Sequence, residues 1–325
     1  MKGLVTVFGG SGFVGSQIVR ALAKRGFRLR VAVRRPGRGY RLPMLGDVGQ
    51  IEVVQANIRD ADSVARALDG AEACVNAVGV LYESGRQTFA DLHVEGARRV
   101  ALAAKARGVR RFAYISALGA DPRSPAKYAR SKAAGEAATR EAIAEAVVLR
   151  PSVVFGADDH FFNRFAAMAL VSPALPLIGG GATRFQPVFV GDVAAAVGQA
   201  LEDPHAAGRT YELGGPTVYS FRDLMGLLLK EIRRSRPLIP IPFAAAKLLG
   251  MAGDVLAAAS PFAPPITTDQ VEMLRADNVV SPGAPGLADL GVAASALEPI
   301  VATYLYRYRK GGQYSDMSAA AARRG

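Results

Sequence analysis

The feature that most constrains this chain is the run Gly9-Gly10-Ser11-Gly12-Phe13-Val14-Gly15, set between an apolar stretch, Leu4–Phe8, and a helical pattern over Gly12–Arg25. Glycine brings no Cβ and tolerates positive φ. This spacing therefore permits a tight turn, a close backbone approach to a pyrophosphate, and close packing of helix on strand. The N–H groups at the helix start, which have no intrahelical partner, then point at the phosphates. A glycine trio alone is an ordinary turn; between a first strand and a first helix it marks a dinucleotide-binding βαβ unit.

Alternation continues along the first half. Strand-like runs at Leu29–Val33, Ile51–Ala56, Ala73–Val78, Arg111–Ser116 and Val147–Leu149 are separated by helical patterns at Ala61–Leu68, Ala90–Arg107 and Ala126–Ala144. Strand and helix in turn predict an α/β fold, a doubly wound parallel Rossmann sheet. After Pro151 the regularity breaks, with a return to the sheet near Val188–Leu201 and Thr210–Leu213. The expected organisation is a nucleotide-binding domain over 1–155 with returning segments at about 185–215. A smaller, discontinuous C-terminal lobe follows from 156–184 and 216–300, then an extension over 301–325 whose last residues, Ser318 to Gly325, are Ala/Arg-rich and frayed.

Composition removes several classes. A single cysteine, Cys74, excludes an internal disulfide framework and a cysteine zinc cluster and reads as a small core residue, while His93, His160 and His205 lack ligand spacing, so no metal site is expected. The first strand begins at Leu4, which leaves no room for a leader and predicts a protein that stays where it is made. The uncharged stretch Phe165 to Thr183 is broken by prolines and glycines and reads as loop and short helix. Phe243 to Phe262, interrupted by Lys247 and Asp254, reads as an amphipathic helix packed on its own lobe, ahead of a membrane-surface or partner-groove role.

Charge has to be located before it means anything. The 40 Lys and Arg against 28 Asp and Glu give +12, and the whole excess lies in residues 1–150, which carry 25 basic and 13 acidic side chains. Arg28, Arg30, Arg34, Arg35, Arg38 and Arg41 form a run with no acid among them. Arg34 and Arg35 end the second strand, where a carboxylate would hold the ribose 2′-OH of NADH; a guanidinium pairs instead with a 2′-phosphate, so the cofactor expected is NADPH. The competing view is a solvated basic turn. Only Tyr40 interleaves these arginines, too little aromatic surface for a nucleic-acid reader. The remaining excess at Arg98, Arg99, Arg107, Arg110 and Arg111 is expected to face an acidic partner or anionic headgroups.

Other strand ends supply the rest of the site. Asn57-Ile58-Arg59-Asp60 ends the third strand beside the expected adenine, with Asn57 and Ile58 as the contacts, and Asn76-Ala77-Val78-Gly79 ends the fourth beside the pyrophosphate and nicotinamide ribose. Ser116 closes the fifth strand. Tyr128 and Lys132, four apart, share a helix face, where an ammonium lowers a phenol's pKa and makes it a usable base. Ser116, Tyr128 and Lys132 are thus the candidate catalytic set and cofactor contacts as well.

These motifs resemble the extended and atypical short-chain dehydrogenase/reductase superfamily, as do Leu149-Arg150-Pro151-Ser152-Val153-Val154-Phe155-Gly156 and Gln186-Pro187-Val188-Phe189-Val190-Gly191-Asp192-Val193-Ala194. Pro151 and Val153 join the cofactor set through that match. Ser260-Pro261-Phe262-Ala263-Pro264, Ile266 to Glu272, Pro285 to Gly291, and Asp159 with Phe161 to Phe165 are similar to the Rossmann-type accessory subunits of respiratory complex I (NADH:ubiquinone oxidoreductase). That resemblance implies a subunit holding NADPH tightly as a structural ligand, among complex I partners of the peripheral arm and membrane junction near the quinone site, with contact to membrane surface lipids and no nucleic acid. It also implies a peripheral place on the cytoplasmic face of a bacterial inner membrane, or on the matrix side in a mitochondrion. Asn57 stands where many such relatives carry aspartate. The alternative is an NADPH-dependent reductase or epimerase/dehydratase acting on a small carbonyl or nucleotide-sugar.

Overall fold

The computed structural model describes residues 2–259 and 264–312. Ser260 to Ala263, the tail beyond residue 312 and the side chain of Arg38 lie outside the described residues, and with them most of the Ser260–Pro264 motif.

Seven parallel strands form one sheet: β1 (Lys2–Phe8), β2 (Phe27–Val33), β3 (Ile51–Gln55), β4 (Ala73–Asn76), β5 (Arg111–Ile115), β6 (Val147–Pro151) and β7 (Thr210–Leu213). Their spatial order is β7-β6-β5-β4-β1-β2-β3. The order reverses between β1 and β4, and at such a switch point an open α/β sheet offers a crevice at the carboxyl ends of its strands. Buried on both faces, the central strands β1, β4, β5 and β6 read as near-continuous apolar runs. Val5, Val7, Leu29, Val31 and Val75 fill one side; Phe8, Cys74 and Tyr114 fill the other. Cys74 is fully enclosed, and burial pushes its thiol far up, so it is an inert core residue.

Helix α1 (Phe13–Lys24) follows the glycine loop and buries Gly15, Ile18, Val19 and Leu22, one stripe at helical spacing. Helices α2 (Ala61–Ala67), α3 (Gly96–Ala106) and α4 (Lys127–Ala142) cover the opposite face. Helix α5 (Phe162–Val171) opens the smaller lobe, and α6 (Val190–Glu202) returns to pack on α1.

Several expectations are corrected. The helix expected over Ala90–Arg107 starts as a π-turn, Ala90–Glu95, before α3. Val188–Leu201 does not rejoin the main sheet: Val188–Phe189 pairs with Val154–Phe155 in a two-stranded ribbon and the rest is α6, so only Thr210–Leu213 adds a strand. Within the uncharged stretch, Leu175–Ile178 is a strand pairing with Leu238–Ile241. Nor does the lobe end at residue 300. Leu287 and Leu290 pack into the large-domain core, whereas α10 (Leu297–Leu305), partly assigned to the extension, buries Leu297, Val301, Tyr304 and Leu305 in the lobe.

That lobe is built on an aromatic cluster, Phe155, Phe161, Phe162, Phe165, Phe185 and Phe221, with α7 (Phe221–Glu231) against α5. Two buried carboxylates tie distant segments together, Asp159 within the lobe and Asp192 from α6 of the large domain to the residues before α10. Asp159 accepts from the Tyr304 hydroxyl at 2.6 Å and Asp192 from the Ser295 backbone at 2.7 Å, and burial raises both pKa values.

Helix α8 (Phe243–Ala259) turns its small residues inward and its large ones out. Ala246, Gly250, Gly253 and Ala257 face the lobe, and a Cβ at Gly250 would fall 2.7 Å from the Thr268 nitrogen at the start of α9 (Thr268–Met273). Leu248, Leu249, Met251, Val255 and Leu256 are each 39–68% exposed. The helix is thus packed on its own lobe, as expected, yet presents an apolar face outward. Among the described residues no helix is long and apolar enough to cross a membrane.

The surplus arginines are mostly answered within the chain. Arg98 pairs with Glu95 and Glu141, Arg107 with Asp69, and Arg99 and Arg111 donate to the carbonyls of Ile58 and Asp203. Of the five, Arg110 is exposed with no partner among the described residues.

Candidate functional site

The glycine loop builds the floor of the cleft. Gly9 has φ 80°, and its next-door approach to the β4 loop is so close that a Cβ there would stand 2.8 Å from the Ala77 carbonyl oxygen. A Cβ on Gly15 would strike the Gly9 carbonyl, and one on Gly10 would strike Val31 of β2. Gly12 N–H donates to the Gly9 carbonyl at 3.0 Å, closing the turn. Gly12 caps α1 without a side chain, and the first turn carries no acid. Among the described residues no side chain caps that helix start, which leaves it open to an anion.

Around the floor, the strand ends carry the predicted residues. Asn76 is buried; its Oδ1 accepts from Val78 N–H at 3.1 Å while its Nδ2 meets no acceptor among the described residues. Asn57 turns its loop by accepting from Arg59 N–H at 3.1 Å, and Ile58 is buried. Arg34 and Arg35 are exposed, and Arg34 Nη1 donates to Gln87 Oε1 at 2.7 Å. Val153 is held by Asn278, its N–H donating to Oδ1 at 3.2 Å, and Pro151 is buried at the end of β6. Cradle, uncapped helix and two orphaned buried donors, Asn76 Nδ2 and Arg59 Nε, fit a nicotinamide dinucleotide in this cleft.

The reaction end differs from expectation. Ser116 is buried, and its hydroxyl donates to the Glu136 carboxylate. Glu136 also takes a forked pair from Arg150, at 2.9 and 2.7 Å, and Arg150 reaches Glu212 at 3.6 Å. The hydroxyl expected in the catalytic set thus belongs to a buried ion-pair network that ties α4 to β6. Lys132 Nζ donates to the Ile115 carbonyl at 2.7 Å, and burial pulls its pKa down to about 8, with Glu136 opposing.

Tyr128 carries the sharpest correction. Its ring lies edge-on to Phe89 and His93, and burial followed by the Asp269 carboxylate pushes the phenol up to about 12 rather than down. The Tyr128 hydroxyl has no protein hydrogen-bond partner among the described residues, and no hydrogen bond links Ser116, Tyr128 and Lys132 there.

Three neighbours were not foreseen as site residues. His93 sits in the π-turn; Val80 N–H donates to Nε2 at 3.0 Å, so the neutral ring carries its proton on Nδ1 and gives it to Ser131 Oγ at 2.8 Å. Ser131 in turn donates to the Tyr128 carbonyl at 2.7 Å. Burial and the Lys132 ammonium lower the His93 pKa to about 3. Gly135 admits this arrangement, because a Cβ there would strike the His93 carbonyl. Asp269, from α9 of the small lobe, accepts from Lys127 and Tyr128 N–H at 2.5 and 3.0 Å, capping α4, whose own cap residue is Ala126. Glu136 was within reach of sequence reasoning, since it follows Lys132 by four on the same face; His93 and Asp269 carry no such signal.

Comparison with known proteins follows this geometry. Residues 5–214 match the model of the NAD dependent epimerase/dehydratase family. The chain is 37% identical over 320 residues to the mitochondrial NADH dehydrogenase [ubiquinone] 1 alpha subcomplex subunit 9 of Arabidopsis thaliana, covering 96% of this chain and 80% of the relative. The protein of the same description from Mus musculus is 34% identical over 308 residues, covering 94% and 80%. Among solved structures, the Escherichia coli NADPH-dependent quinone oxidoreductase QOR2, complexed with NADPH, superposes with a TM-score of 0.72 at 22% identity, over 93% of this chain and 99% of that one, a likeness of fold.

Proposed function

The chain belongs to the NAD dependent epimerase/dehydratase family, and from that premise we propose that it is an accessory subunit of respiratory complex I that holds NADPH as a structural ligand. The observation that carries this reading is the contrast within one cleft: an open pyrophosphate cradle beside a Ser116 hydroxyl already given to Glu136. The glycine loop, Asn57, Ile58, Asn76 to Gly79, Lys132, Pro151 and Val153 hold the nucleotide, and Arg34 and Arg35 receive its 2′-phosphate. Bound NADPH supplies hydride chemistry in principle; here Tyr128, high in pKa and flanked by aromatic rings, has little tendency to move a proton near neutrality. A ligand bound only by the folded state stabilises it by about 2.7 kcal/mol when present at 100 times its Kd.

The reading extends to position. We place the subunit on the peripheral arm near the membrane junction, on the cytoplasmic face of a bacterial inner membrane or the matrix side of a mitochondrial one. The outward apolar face of α8 supports burial against complex I partners or lipid. Purifying the complex from native membranes tests it: the chain co-purifies, and denaturation releases NADPH. Absence of the chain from the purified complex sinks the proposal.

One observation favours a second reading, an NADPH-dependent reductase or epimerase/dehydratase. Tyr128 and Lys132 are both present at the cleft, and the Tyr128 hydroxyl has no protein partner among the described residues. Under that reading isolated protein exchanges hydride with a small carbonyl or nucleotide-sugar and Tyr128→Phe abolishes the exchange; under the leading one, nucleotide stays bound and unoxidised and Tyr128→Phe changes neither retention nor assembly.

A further inference from the structure

The corner where β2, β3 and the loop after β4 meet is closed by a tight hairpin. Ser84 and Gln87 exchange both backbone hydrogen bonds, at 3.1 and 3.0 Å, around Gly85 at φ 53°. Its exit is pinned where Phe89 N–H donates to Glu83 Oε1 at 2.8 Å. Two arginines reach this hairpin from the sheet: Arg34 through Gln87, and Arg59, whose Nη1 donates to the Arg86 carbonyl at 2.8 Å. Arg34 and Arg59 thus reach one hairpin from two separate segments, and among the described residues Arg59 pairs with no carboxylate. Cations brought together at one corner raise the local potential and favour an anion there.

Arg59 stands out among them. Its Nε is shut off from solvent and meets no acceptor among the described residues, and an unmet buried donor on a charged group costs more than an ordinary hydrogen bond returns. Arg140 Nε is orphaned too, but that guanidinium is spent on Gly208 and Thr210, away from the strand ends. Arg59 lies two residues beyond Asn57, where an open α/β sheet receives its ligand.

We infer that Arg59, held in place by the Ser84–Gln87 hairpin, is a specificity-determining residue for an adenosine bearing a 2′-phosphate, which it meets from the β3 side while Arg34 meets it from the β2 side. Gln87 is the positioning residue that aims Arg34. This rests on the nucleotide reading above and adds to it the hairpin and an arginine from the β3 side. Charge-assisted contacts of this kind are directional and break when the fork is lost.

Calorimetric titration of the full-length protein, stripped of nucleotide, with 2′,5′-ADP and with 5′-AMP isolates the 2′-phosphate. Wild type binds 2′,5′-ADP more tightly, and Arg59→Met narrows the ratio by about 10- to 100-fold, entirely through weaker 2′,5′-ADP binding. Gln87→Ala narrows it by a few fold. If Arg59→Met fails to fold, Arg59→Lys, which keeps the charge and stem but loses the fork, carries the same test and narrows the ratio less. A ratio left unchanged by loss of Arg59, or an equal weakening of both ligands, overturns the inference while the nucleotide reading stands. Equal binding of the two ligands by wild type removes that reading and the inference together.

Discussion

The two ends of one cleft are built on opposite principles. At the pyrophosphate end, between β1 and α1, the chain strips away Cβ atoms and leaves the helix start uncapped, so its donors wait for a ligand. At the reaction end, around the start of α4, Ser116 is occupied by Glu136, Lys132 by the Ile115 carbonyl and Ser131 by the Tyr128 carbonyl, and only the Tyr128 hydroxyl among the candidate set has no protein partner among the described residues. On the proposed reading, binding and turnover are therefore separable properties of this fold. One end can be kept while the other is converted into packing.

The contrast can be broken from its open end with the largest effect. Gly15→Val drives a branched side chain into the Gly9 carbonyl, and overpacking of this sort costs about 1–3 kcal/mol. Nucleotide affinity, followed by fluorescence titration, falls at least about 100-fold, a loss of some 2.7 kcal/mol, while the tyrosine absorbance titration of the reaction end stays as in wild type. An unaltered affinity would show that the cradle does not hold the ligand.

An intermediate effect comes from His93. Its folded pKa of about 3 lies below the ordinary 6.5, so below pH 6.5 the unfolded chain takes up a proton that the folded chain refuses. This contribution to stability is full above pH 6.5 and is lost as pH falls toward 3, by about 1.4 kcal/mol per pH unit. Denaturant melts at stepped pH give a steeper acid slope for wild type than for His93→Asn; equal slopes refute the neutral buried ring.

Asp269→Ala is the smallest of the three and sharpens the comparison most. Removing a charged cap from α4 costs about 1–2 kcal/mol. With that carboxylate gone the Tyr128 phenol titrates lower than about 12, read as the spectral difference against a Tyr128→Phe background. A phenol that does not move shows that burial alone sets its pKa.

Much of the large domain was legible because parallel strands buried on both faces and amphipathic helices announce themselves by period, and because only glycine fits at positions 9 and 15. The small lobe was harder to read. Its strand Leu175–Ile178 hides among prolines, and α10 completes a core whose other members lie more than 60 residues earlier in sequence. Within the site, residue types and loops were readable but their commitments were not. Ser116 offers a hydroxyl in sequence; only the fold brings Glu136 and Arg150 to it. Tyr128 and Lys132 share a face as spacing requires, yet the phenol is pushed up by its burial and, second, by Asp269, 141 residues away.

That last contact bears on how the molecule comes to be folded. The helix that carries Tyr128 begins at an alanine that cannot cap it, and its cap arrives from a segment made long after the sheet has its first six strands. Contacts this distant in sequence are closed late, since loop entropy must be met before they return anything. A nascent chain stopped short of residue 269 has its glycine cradle complete and α4 frayed at the start. Capture of the small lobe is thus expected to complete the start of α4 late, once the chain has been made to its last third.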